Sequence, residues 1–151
     1  ASLTTAPAVF QATGSTNITS TVATVAFNTE VFDPDTNYAL SSNEITCTLS
    51  GYYQVSVNIP VSDDGYTGGS RSSVFTYLEQ DQASGTWITV ENCRAQDYAR
   101  ELSGGEGVNF SGIVLLQANE VIRVRIEQTA TTDLSTESAQ ASLNIHRVRA
   151  V

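Results

Sequence analysis

Between Ser50 and Val61 the chain reads Ser-Gly-Tyr-Tyr-Gln-Val-Ser-Val-Asn-Ile-Pro-Val. Tyr53, Val55, Val57, Ile59 and Val61 fall on one face, and Tyr52, Gln54, Ser56, Asn58 and Pro60 on the other. A period of two held over this length, with β-branched and aromatic residues on the apolar side, specifies a strand with one buried and one more polar face. Gly51 breaks the pattern at its start. A second alternating run, Glu44-Ile45-Thr46-Cys47-Thr48-Leu49, precedes it, so Ser50-Gly51 is expected to form a turn or a corner from one sheet to another.

The same reading extends along the chain. Ala6 to Gln11 is a short first strand, with Pro7 tolerable at a sheet edge. Thr21 to Phe32 reads as one longer strand, Val25, Phe27 and Thr29 on one face. Asp33-Pro34-Asp35-Thr36-Asn37 is a turn, and Tyr38-Ala39-Leu40 resumes extended structure. A polar, glycine-rich loop spans Ser62 to Ser70. Ser73 to Gln80 and Thr86 to Val90 form a hairpin across Asp81 to Gly85. Arg94 to Gly107 is poorly patterned and is expected to be a loop or an irregular strand. Val108 to Leu116, a turn at Gln117-Ala118-Asn119-Glu120, Val121 to Gln128, a polar loop to Glu137 and Ala139 to Val148 complete the chain. Nine or ten strands at such spacing are the signature of an all-β sandwich or barrel. With no internal repeat or linker, residues 1–151 are expected to form a single domain.

Seven basic residues, all arginine, stand against sixteen acidic ones, giving a net charge of -9. Such a body repels nucleic acid and anionic membranes, so neither is an expected partner. The longest aliphatic run, Ile113-Val114-Leu115-Leu116, is far short of the ~20 apolar residues that span a bilayer. The start, Ala1-Ser2-Leu3-Thr4, has no basic flank followed by an apolar core, so no secretory signal is expected within this stretch. Cys47 alternates with Ile45 and Leu49, as a buried thiol would. A bridge between Cys47 and Cys93 stays open, because two cysteines allow one pairing and their spacing does not decide it.

Four segments carry a family likeness: Ala6-Pro7-Ala8-Val9-Phe10; Val25 to Asp33 before a polar turn and Tyr38; Leu49-Ser50-Gly51-Tyr52-Tyr53; and Ser111 to Leu116 followed by Glu120-Val121-Ile122-Arg123-Val124. In this order the chain resembles the globular domain of complement component one q and, through it, the tumour-necrosis-factor-like jelly rolls. The last strand departs from the family's aromatic-rich ending, reading Ala141-Ser142-Leu143-Asn144-Ile145-His146. The family's collagen-like stalk is also absent, and complement activity is not carried over. What the resemblance implies is a ten-stranded jelly-roll β-sandwich packed as a tight homotrimer, with loops at one end available for binding and calcium often held near the trimer apex.

Candidate chemistry is sparse. His146 is the single histidine, and no Gly-x-Ser-x-Gly elbow or cysteine-nucleophile signature accompanies it, so no catalytic residue is assigned and no enzyme activity is expected. Asp63-Asp64 and Asp33-x-Asp35 offer oxygen ligands, yet neither matches a calcium loop, so no metal or cofactor is assigned. Asp63, Asp64 and Tyr66 form the candidate binding loop. Arg123, Arg125, Arg147 and Arg149 lie in the last two strand regions, where they either concentrate positive charge or sit as solvated strand positions. The candidate subunit interface is Tyr52, Arg123, Arg125, His146 and Arg147, since in a trimer the face that carries Tyr52 is covered by a neighbour. Asn17-Ile18-Thr19 and Asn109-Phe110-Ser111 match the glycosylation sequon, as chance permits in a Ser/Thr-rich chain. These features point to a non-enzymatic attachment protein on a virion surface, a capsid decoration or cement protein bound to capsid or another surface protein. The alternative is an extracellular recognition module that binds glycans or proteins through its loops.

Overall fold

The computed structural model describes residues 8–18, 22–62, 72–82, 85–99, 106–129, 134–136 and 141–151. Their strands are β1 (Val9–Gly14), β2 (Asn17–Ile18), β3 (Ala23–Thr24), β4 (Thr29–Phe32), β5 (Tyr38–Ser41), β6 (Glu44–Cys47), β7 (Gly51–Ser62), β8 (Ser72–Asp81), β9 (Trp87–Ala99), β10 (Glu106–Leu116), β11 (Glu120–Gln128), β12 (Leu134–Thr136) and β13 (Ala141–Ala150). Ten of these have four or more residues, and β2, β3 and β12 are shorter fragments.

Two antiparallel sheets face each other. In sheet 1 the order is β10-β7-β13-β1-β4, with β12 continuing along β7 past the end of β13 and β2 outside it. In sheet 2 the order is β5-β6-β11-β8-β9, with β3 beside the far end of β11. Among the longer strands the chain changes sheet at β4 to β5, β6 to β7, β7 to β8, β9 to β10, β10 to β11 and β11 to β13, which makes the sandwich a jelly roll.

The core is where the alternation predicts it. Tyr53, Val55, Val57, Ile59 and Val61 are all buried, and Ile122, Val124 and Ile126 of β11 face them from sheet 2. Each such side chain contributes roughly 1.5–3 kcal/mol relative to exposure. At one end Phe10 lies 5.1 Å from Tyr38, whose ring meets Tyr53 edge-on at 6.2 Å. Both hydroxyls are satisfied: Tyr38 donates to Ala8 O at 3.0 Å and Tyr53 to Leu49 O at 2.6 Å.

Two expectations need correction. Thr21 to Phe32 is not one strand: β3 belongs to sheet 2 and β4 to sheet 1. Between them Val25 N donates to Val124 O and Asn28 N to Thr13 O, so this segment crosses from one sheet to the other. Val25 and Phe27 both remain fully buried during the crossing, and alternation therefore mimics a continuous strand. The second correction concerns Arg94 onward. β9 runs without interruption to Ala99. Its register against β8 steps from Tyr77↔Arg94 to Glu79↔Thr89, a bulge that ends where this stretch begins, and from Arg94 to Ala99 the pairing with β8 is regular.

Cys47 and Cys93 are both free and fully buried. Cys93 packs where a Cβ on Gly112 would sit, and Asn92 O would lie 2.6 Å from that atom. Gly112 is the position at which β9 of sheet 2 closes onto β10 of sheet 1. Gly112→Ala is expected to cost about 1–3 kcal/mol through overpacking, lowering the melting temperature by several degrees in a scanning calorimeter. An unchanged melting temperature would show that the edges do not meet there. The thiols generate a second expectation. Burial, aided by Glu120, pushes Cys47 from 9.0 up to about 12, and burial pushes Cys93 up to about 11. The unfolded chain releases these protons near pH 9 while the folded chain keeps them, so their stabilisation is complete below that pH and declines as pH rises towards 11–12. Denaturant midpoints should fall across this window, and a thiol reagent at pH 8 should label neither cysteine until the protein unfolds.

Candidate functional site

β7 lies between β10 and β13 for most of its length, so its outward side chains have neighbours on both sides. In register, Tyr52 sits between Leu115 and Arg149, and Gln54 between Ile113 and His146, which in turn faces Val9 of β1. Ser56 sits between Ser111 and Asn144. Adjacent strands are about 4.8 Å apart, so these rows form one continuous outer surface.

That surface is apolar at one end and small and hydroxylated in the middle. Tyr52, Ile113 and Leu115 are 38%, 51% and 41% exposed on it, with Leu115 directly opposite Tyr52. Beyond them Ser56 Oγ and Ser111 Oγ are 2.9 Å apart and hydrogen-bonded, and these short side chains leave room for another surface to approach. Phe32, opposite Gln11 on β4, adds an exposed ring at 44%. Contiguous apolar area rimmed by polar groups marks an interaction surface.

The outer face of sheet 2 has the opposite character. Arg123 Nε donates to Glu79 Oε2 at 2.7 Å, its guanidinium lies 3.6 Å from Glu44, and it stacks 3.7 Å from the centre of the Trp87 ring. Arg125 donates to the Thr24 hydroxyl at 2.5 Å and approaches the same Glu79 at 3.7 Å. These arginines are engaged within the chain. A buried or half-buried pair of this kind fixes geometry more than it adds stability.

The five residues expected at a subunit interface therefore separate. Tyr52 and His146 share the outer face of sheet 1, both exposed. Arg123 and Arg125 lie on the other sheet. Arg147 sits at a bulge where β13 steps past Tyr53 and Tyr52, and its Nε and Nη2 donate to Ser50 O at 3.0 and 2.5 Å. It clamps the β6–β7 corner, where a Cβ on Gly51 would lie 2.7 Å from its Nε. The four C-terminal arginines thus form no single positive patch, because the neighbouring strand regions of the sequence belong to different sheets. Asp33 spends its carboxylate on its own turn, accepting from Asn37 N at 3.1 Å and Tyr38 N at 2.9 Å. Asp63, Asp64 and Tyr66 lie outside the described residues.

Ile113 and Leu115 escaped the sequence reading, although the signal was present. An unbroken aliphatic run in a strand must send every second residue outward, so Val114 and Leu116 in the core leave Ile113 and Leu115 on the surface.

A scan against protein-family models finds no match, and a sequence search of curated proteins finds none either. The fold does have solved counterparts. Murine APRIL superposes with a TM-score of 0.69 at 14% identity, covering 95% of this chain and all of that one. The Eiger tumour necrosis factor of S. frugiperda gives 0.66 at 13% identity over 96% of this chain and 93% of its own. The globular domain of zebrafish complement 1qA gives 0.60 at 12% identity over 95% and 98%. The fold is thus a jelly roll like those of these three structures, and at 12–14% identity the likeness shows the fold alone.

If Arg147 serves the corner, Arg147→Ala should leave the Ser50 carbonyl without its cation and cost about 1–3 kcal/mol of folding stability. Arg149→Ala, at an exposed neighbouring position, should change stability by no more than ~0.5 kcal/mol. Equal denaturant midpoints for the two variants would refute that role.

Proposed function

We propose that this chain is a non-enzymatic attachment protein that works as a homotrimer, each copy packing the outer face of sheet 1 against its neighbours. The carrying observation is the cluster of Tyr52, Ile113 and Leu115, large apolar groups left 38–51% exposed beside a serine-lined centre. Burying such groups is the ordinary driving force for association. A sandwich has unpaired sheet edges as well, and closed symmetry covers edge and patch together. The number three comes from the superfamily resemblance, whereas the choice of face comes from the side chains of this chain.

Attachment through the remaining surface suits an acidic chain with no lysine. On this reading the trimer decorates a virion, bound to capsid or another surface protein, and holds no metal or cofactor. Extracellular recognition by the same trimer is the second reading, and it is favoured by a groove on sheet 2.

Native mass spectrometry should give three times the chain mass, with or without a chelator. Ile113→Asp combined with Leu115→Asp should yield a folded monomer, because losing a buried anchor costs ~2 kcal/mol or more per contact, about 30-fold in each association constant. A wild-type monomer at micromolar concentration, or a trimer indifferent to both substitutions, would refute the proposal. Co-purification of the trimer with capsids distinguishes decoration from soluble recognition.

A further inference from the structure

Strands β8 and β9 pair regularly up to Tyr77↔Arg94 and again from Glu79↔Thr89. Across this break β8 advances two residues (77 to 79) and β9 five (89 to 94), so β9 carries three more than its partner. The surplus leans toward sheet 1. Asn92 Nδ2 donates to Ile113 O at 2.9 Å, and Cys93 is buried against Gly112. Where β9 has been drawn away from β8, the outer face of sheet 2 keeps a half-open groove of about 580 Å³, within the roughly 300–1,000 Å³ of small-molecule sites.

Phe75 and Tyr77 line this groove. They lie two residues apart on β8, so both point outward, about 7 Å from each other. Thr89, Glu91, Arg94 and Gln96 line it from β9, and Glu127 from β11, where it stands opposite Phe75. Arg125 stands opposite Tyr77 on β11, and burial, with Glu79 and Glu127 nearby, raises the phenol above its ordinary value. Glu91 and Arg94 pair with each other at 3.0 Å. Among the lining residues Glu127 is then the one unbalanced charge, while Arg125 beside Tyr77 is turned to Glu79 at 3.7 Å.

These groups define a ligand class. A site with excess carboxylate on a body of charge -9 disfavours phosphate, sulfate and other anions. Carboxylates accept hydrogen bonds, a guanidinium donates them, and Gln96 and Thr89 do both. This mixture matches hydroxyl groups, each of which is donor and acceptor at once. Two aromatic side chains on one face provide apolar area for the C–H face of a pyranose. We propose that the groove between the β9 bulge and the Phe75–Tyr77 pair binds a neutral oligosaccharide. The groove lies within one chain and on the sheet opposite the association face, so the inference does not depend on the trimer.

The full-length protein, in whatever oligomeric state it adopts, is tested by saturation-transfer NMR and calorimetry with maltotriose, cellotriose, mannotriose and lactose as neutral probes and 3′-sialyllactose as the anionic one. At least one neutral probe should bind at millimolar concentration or below, and 3′-sialyllactose should bind about tenfold more weakly. Gln96→Ala and Phe75→Leu should each weaken the neutral probe about tenfold, with melting temperatures confirming that both variants fold. Ile113→Asp with Leu115→Asp should leave sugar affinity unchanged even as it disrupts association. Absence of binding by every neutral probe, preference for the sialylated one, or full affinity in the folded Gln96→Ala variant would each overturn the assignment. So would loss of binding in the sheet 1 variant alone, which would move the site to the association face.

Discussion

Everything in this molecule depends on β7 being two-faced. Paired with β10 from Gly51 to Val61 and with β13 from Gly51 to Asn58, it has no free edge over that stretch and cannot slide. A shift of one residue would carry Tyr53, Val55, Val57 and Ile59 into solvent and bring Tyr52, Gln54, Ser56 and Asn58 into the core. The burial energy of the inner face thus also fixes what the outer face presents. Association, on the proposed reading, uses the residues left over when the core is satisfied, which is why its geometry needs no loop to specify it.

The two sheets are held in register at one end by hydrogen bonds between their corners. Ala118 N donates to Ser50 Oγ at 2.9 Å and Asn119 N to Cys47 O at 2.7 Å, tying the β10–β11 turn to the β6–β7 corner. Asn119 takes a positive φ of 68° there, a conformation that asparagine tolerates better than most residues. Glu120 is buried, and its Oε2 accepts from Gln117 N at 2.8 Å and Gln80 Nε2 at 2.7 Å, while Gln80 also donates to Leu115 O at 3.0 Å. These partners offset part of the desolvation of a carboxylate, and the network ties β8, β10 and β11 together. Arg147 completes the same corner from β13. Tyr52 and Leu115 are neighbours of these corners, so the apolar end of the association face rests on the most tightly bonded part of the sandwich.

Much of this was legible in the sequence, but unevenly. Alternation in Ser50 to Val61 and Val121 to Gln128 located the core, because those strands lie inside their sheets. The resemblance carried by Leu49-Ser50-Gly51-Tyr52-Tyr53 and its companions gave the jelly roll. Alternation failed where the backbone leaves its sheet: at Val25 to Asn28, where the chain crosses the sandwich with both apolar groups still inward, and at Val90 to Cys93, where three surplus residues shift the phase. Arg123 and Arg147 were indistinguishable by spacing. Only tertiary structure reveals that one is paired with Glu79 over Trp87 and the other holds a backbone carbonyl. Ile113 and Leu115 were legible in principle, since no strand can bury four consecutive side chains against one core.

The departures from regular alternation also produce the second surface. A β9 in unbroken register with β8 would continue the antiparallel ladder and leave sheet 2 with a closed, charged outer face like that around Arg123 and Glu79. Drawing three residues toward β10 does two things at once. It closes the edge of the sandwich through Asn92 and Cys93, and it opens the groove beside Phe75 and Tyr77. The first requires Gly112, because any larger residue would collide with the incoming strand. The groove is therefore coupled to the core by a single small residue on the sheet that carries the association face. Its shape is set by the packing of the sandwich edge and belongs to the scaffold rather than to a loop, which is the kind of support that holds binding groups in a fixed geometry.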